Sequence, residues 1–424
     1  MKLRFPLSLV LLICIVFACS KDQSPEPIEE KKEEPNPDSI MYFTLISERP
    51  KDENIIEEWI VLHDAEGKLL DFSLFDFGDN LVFESKEDIS DLISVTEIRF
   101  TEYDYGKNYT ITTTTGIEKG SKWTLEPSLQ SDNFYQSNGV EGDFNVTVSG
   151  IPGLEKLTVT NTKFNLGLSY SSTTFPGSPP STDISTDLTL YTGENEYYVS
   201  ILDGLTQLKY YNFSYENMDL SLNYEDFLEF DSYHNVQLPE NNFYIFNVAG
   251  FREDYPYSEQ NGVVLHDVIS FQYPEIPTKP FVYGYLDIFE RYRTLLVVNY
   301  KNLHYTRVQY GPRLEEIIIP DPTLNITDFS RSSFRFDVDV DYISSSHLWS
   351  YSEGTSSDNN LYQTYWYVEA ASGFEPFVGE LPGDILTRYP EMNIQDLEYE
   401  QSLLNLPLES TEYNSRNLIV IKNE

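Results

Sequence analysis

From Met41 almost to the C-terminus, short hydrophobic runs alternate with turn residues, and no helical period of 3.6 residues is sustained over a long stretch. That pattern argues against a helical bundle or an alternating α/β fold and points to antiparallel β structure. "EEWIVLHDAEGKLLDF" (residues 57–72) reads as two strands around a turn, with Gly67 where a type I turn plus bulge needs a left-handed residue. "VTEIRFTEYDYGKNYTITTTTG" (95–116) repeats the device, with Gly106 in the turn and β-branched residues on both sides. "SSFRFDVDVDY", "LYQTYWYVEA" and "NLIVIK" supply further strands near the end. Short helices are expected only around "GDILTRY" and "IQDLEYEQSLL". The chain is therefore expected to be all-β, with antiparallel β-sandwich domains in series and few short helices.

A polar stretch after Pro127 and the prolines at 320 and 322 mark boundaries. They divide the chain into a sandwich over 41–130, a β-rich middle region over 138–320 (one or two sandwiches) and a C-terminal β domain over 321–424. The 32 tyrosines and 26 phenylalanines provide ample apolar area for several cores and favour pleated, half-buried surfaces.

The N-terminus carries an address. Lys2 and Arg4 precede an apolar run from about Leu7 to Phe17, too short to span a bilayer as a helix and patterned like an export signal. Val16-Phe17-Ala18-Cys19 resembles a lipobox, in which the cysteine is lipidated and becomes the mature N-terminus. Ser20-Lys21-Asp22-Gln23 is similar to the short charged signal that sends Bacteroidota-type lipoproteins to the outer face of the outer membrane. The resemblance covers residues 1–23 and implies removal of 1–18, a lipid on Cys19 and anchorage of the body to the cell exterior. Cys14, the other cysteine, lies in the segment to be removed, so the folded body is expected to hold no disulfide or cysteine metal site. Residues 19–40, with "SPEPIEEKKEEPNP", cannot bury a core and are read as a lipidated, solvated tether.

The first unit resembles the immunoglobulin-like and prealbumin-like modules of bacterial surface proteins in its D-x-x-G-K hairpin. A formal net charge of −41 repels nucleic-acid backbones and keeps a surface protein soluble.

Catalytic signatures are missing. The sequence has no G-x-S-x-G elbow, no H-E-x-x-H, no phosphate-binding G-x-x-x-x-G-K and no G-x-G-x-x-G. Asp337, Asp339 and Asp341 alternate with Phe336, Val338, Val340 and Tyr342, which would set three carboxylates on one strand face about 6.6–6.8 Å apart. That spacing suits a glycoside-hydrolase pair or a calcium site, and equally a solvated outer face. An EF-hand starting at Asp337 fails, with Tyr342 at position six and Leu348 at position twelve. Trp349 with Tyr351, and Tyr365, Trp366 and Tyr367, form the aromatic clusters that could stack on a sugar or line the core. The resulting expectation is a non-catalytic, lipid-anchored surface protein that binds or presents an extracellular ligand, a polysaccharide first. The alternatives are an adhesion protein contacting other surface proteins and a carbohydrate-active hydrolase using Asp/Glu pairs. No cofactor is required by this reading, calcium being the one candidate.

Overall fold

The structure, a computed structural model, describes residues 39–50, 52–126, 140–161, 168–170, 182–191, 196–203, 207–214, 219–252, 262–276, 281–358, 360–408 and 415–423. The export signal, Cys19 and the tether up to residue 38 lie outside them.

The chain is all-β, as its strand-and-turn pattern predicts. One sheet of twelve strands dominates. Its order begins with Val263–Ile276, Asn241–Phe251, Arg291–Tyr300 and Leu303–Gly311. Arg416–Lys422, Glu398–Asn405, Ser344–Glu353 and Leu361–Ala371 follow, and Gly106–Glu118, Leu92–Tyr103, Ile55–Asp64 and Leu69–Phe75 complete it. The last four strands of the chain thus occupy the centre and join the N-terminal strands to those of the middle region. Most neighbours are antiparallel hairpin partners, but the join between Leu361–Ala371 and Gly106–Glu118 is parallel. The C-terminal segment from 321 packs into two cores, one shared with residues 198–305 and one with residues 61–111.

That parallel join depends on a glycine. Gly106 has φ +152°, and a Cβ placed on it would stand 1.9 Å from the Leu361 carbonyl oxygen, part of the backbone ladder itself. Gly106→Ala is expected to cost about 1–3 kcal/mol in urea unfolding. Gly120→Ala, at φ +87° with nothing within 4 Å, should cost less because it carries backbone strain alone. Equal losses would show that the close approach is not tight.

Smaller layers cover the long sheet. Ile40–Ser47, flanked by Asn80–Ser85 and Ser121–Leu125, packs Phe43 and Leu45 onto Ile60, Leu62 and Val95. The reverse face of those same strands offers Val61, Ile98 and Phe100 to a second core with Trp349, Trp366 and Met392. A five-stranded sheet around Leu154–Asn161 and Glu196–Asp203 faces a three-stranded sheet around Val140–Ser149, closing a separate sandwich over Val146, Val148, Val199 and Ile201.

Of the two expected helices, "GDILTRY" forms one, Gly383–Arg388. "IQDLEYEQSLL" does not. Its second half is the strand Glu398–Asn405, paired on both sides and burying Tyr399, Ser402 and Leu404. Two-sided pairing in the middle of the sheet outweighs the modest helix propensity of Glu, Gln and Leu.

Candidate functional site

The aromatic candidates separate by face. Trp349 and Trp366 stand directly opposite each other on paired strands and are both 2% exposed, so neither indole can serve as an open platform. Trp349 sits among Phe334, Tyr399 and His347 and donates its Nε1–H to the Phe329 carbonyl at 3.1 Å. Trp366 donates to Thr113 Oγ1 at 3.0 Å, and the Arg331 guanidinium caps its ring 4.7 Å from the centroid. Tyr351 lies on the same side as Trp349, at the strand end, with its hydroxyl on Glu353. Tyr365 and Tyr367 are half-buried on the opposite face, beside Thr110 and Thr112 of the parallel neighbour. The five aromatics of these two sequence clusters therefore do not make one site.

The aspartates also part. The strand carrying Asp337 ends at Val338, short of the expected run, although the alternation of exposed acid and inward Phe336, Val338, Val340 and Tyr342 continues. Asp339 accepts the Thr323 backbone N–H at 2.7 Å, which holds its carboxyl below the usual range. Asp341 borders a groove described below. Among the described residues, no group of three or more His, Cys, Asp or Glu side chains converges as a metal site.

Beneath residues 312–320 lies a groove of about 850 Å³. Its floor is built by strand alternation. On Leu303–Gly311, Leu303 and Tyr305 enter the core while Arg307 and Gln309 continue the same face into the groove. The neighbouring strand places Asn417 directly opposite Arg307. Its roof is the irregular strap 312–320, with Pro312 and Pro320 at its ends. Hydrogen bonds pin that strap. Tyr285 Oη accepts the Leu314 N–H at 3.0 Å, the His234 ring meets the Glu315 carbonyl at 3.0 Å, and Tyr300 donates to Pro320. Leu314 is buried, and Ile317 and Ile319 pack on the main core, so the strap is held by apolar contact as well.

The floor is polar and buried. Arg307, Gln309 and Asn417 are 7%, 3% and 9% exposed. Arg307 Nε and Nη2 both donate to Gln309 Oε1, at 3.1 and 2.6 Å. Burial raises the Tyr305 hydroxyl pKa, while the adjacent Arg307 guanidinium opposes that rise. Asn417 Nδ2 donates to the Pro407 carbonyl at 2.9 Å, leaving its buried Oδ1 without a hydrogen-bond partner. Leucine, isoleucine and proline side chains give the walls, and Glu315, Glu316 and Asp341 the acidic rim. Apolar walls with a few convergent polar groups are the usual anatomy of a ligand site.

None of the three floor residues stood out in the sequence. "LHYTRVQYG" reads as an ordinary strand, yet its alternation already puts Arg307 and Gln309 on the face of Leu303 and Tyr305. A charge on an inward-facing register is the signal that could have found them.

No protein-family model and no curated protein matches the chain.

Proposed function

We propose that the protein is a non-catalytic, lipid-anchored surface protein that binds an extracellular polysaccharide in the groove beneath the 312–320 strap. The observation that carries this reading is the groove's floor, where Arg307, Gln309 and Asn417 present hydrogen-bonding groups within apolar walls. Sugars need that mixture, because their hydroxyls must find partners while their ring faces lie on apolar surface. The anchor follows from the resemblance of residues 1–23 to lipoprotein export signals. Among the described residues no helix is long and apolar enough to cross a membrane.

Native electrophoresis of the full chain through gels containing individual soluble polysaccharides tests the reading. Retardation by at least one glycan, without shorter products, is expected. Cleavage would replace binding by hydrolysis, and unretarded migration across neutral and acidic polymers would overturn glycan binding altogether.

A further inference from the structure

Arg307 is a buried arginine that meets neutral groups, as Arg331 does between the Trp366 ring and the Ile394 carbonyl. With 69 acidic residues against 28 basic ones, a cation has abundant carboxylates to pair with. Arg49 and Arg99 share Glu58 and Glu97, Arg313 pairs with Asp287, and Arg388 with Glu57. Arg307 is more buried than any of these, yet its partners are the neutral side chains of Gln309 and Tyr305. A buried guanidinium without a carboxylate bears a desolvation cost that an anionic partner would offset. Opposite it, the orphaned Asn417 Oδ1 lacks a donor. The floor therefore has a cation requiring an anion and an acceptor requiring a hydroxyl, on adjacent strands.

We infer that the groove selects saccharides bearing a carboxylate, with the acid group on Arg307 and a neighbouring sugar hydroxyl donating to Asn417 Oδ1. The inference rests on the glycan-binding reading and specifies its ligand class. An acidic peptide fits less well. Glu315, Glu316 and Asp341 on the rim would repel closely spaced carboxylates, whereas sugar hydroxyls can donate to them. A carboxylate set among several hydroxyls matches both the floor and the rim.

Isothermal titration of the full chain tests this with two probes whose carboxylates stand among several hydroxyls, a hyaluronan tetrasaccharide and sialyllactose, each beside its neutral methyl ester. At least one acid should bind about tenfold or more tightly than its ester, since a charge-assisted contact is removed. Gln309→Glu changes little in shape and converts an existing bond into an internal ion pair with Arg307. It should weaken the acidic saccharide at least about tenfold while leaving the thermal midpoint unchanged or higher, so misfolding cannot imitate the result. Equal affinity for acid and ester, or an unaffected Gln309→Glu variant, would overturn the inference. So would tighter binding of polyglutamate. Binding of neutral glycans alone would refute the carboxylate while leaving the glycan-binding reading intact. Binding of no saccharide, neutral or acidic, would remove both.

Discussion

Replacing Trp349 by alanine is expected to lower the unfolding free energy by about 3–5 kcal/mol, the range for deleting a large aromatic from a core. The indole is 2% exposed and meets the Phe334 and Tyr399 rings edge-on, with centroids 5.0 and 5.6 Å away. Its removal forfeits those contacts and the bond to Phe329, and leaves a void the sheet cannot close by rotamer changes alone. The same core holds Val61, Ile98, Phe100 and Tyr109 from the N-terminal strands, so the damage should spread beyond the C-terminal segment. Equilibrium urea unfolding, followed by far-UV circular dichroism, reads the loss. A change below about 1 kcal/mol would place Trp349 outside a packed core.

Stability should also fall steeply between pH 6.5 and pH 5, before most carboxylates titrate. His266 and His347 are 2% and 0% exposed, and burial depresses each pKa to about 3 from an ordinary 6.5. Lys156 adds repulsion at His266, while His347 lies between the Phe334 and Phe336 rings with Nδ1 2.6 Å from Ser402 Oγ. Both therefore stay neutral in the fold, whereas the unfolded chain takes up a proton on each as pH drops through 6.5. The unfolded state then binds more protons, so their contribution is complete above pH 6.5 and declines down to about 3. Well below pH 6.5, the loss approaches about 1.4 kcal/mol per histidine for each pH unit. His63, also depressed by burial, acts in the same direction. Urea midpoints measured every half unit give the slope, and His347→Gln should reduce it by one proton. A flat profile from 7 to 5 would contradict neutral burial of these rings.

Local structure was legible in the sequence because each turn and each alternation is a local matter. Gly67 sits at φ +83° after Ile55–Asp64, and Gly106 opens the strand after Leu92–Tyr103, as their places in the pattern require. Strand order was not legible. Nothing near Gly106–Glu118 announces that Leu361–Ala371 will lie parallel beside it, because that pairing closes about 250 residues of chain. The helix expected over "IQDLEYEQSLL" failed for a related reason, since Glu398–Asn405 is held between the strand that follows it and Ser344–Glu353, about fifty residues earlier. The site shared this limit. Alternation correctly separated Trp366 from Tyr365 and Tyr367, but only the register of Trp349 against Trp366 shows which set turns inward. Arg307 acquires its meaning from Asn417, over one hundred residues later, and from a strap whose anchors are tyrosine hydroxyls.

Amide hydrogen exchange of the full chain, with and without a retarding polysaccharide, tests most directly whether the groove is the binding site. Added protection is predicted over 303–320 and 416–422, the strands and strap that enclose Arg307. Protection instead over 361–371, the strand bearing Tyr365 and Tyr367, would contradict the groove and move the site to the opposite face of the sheet.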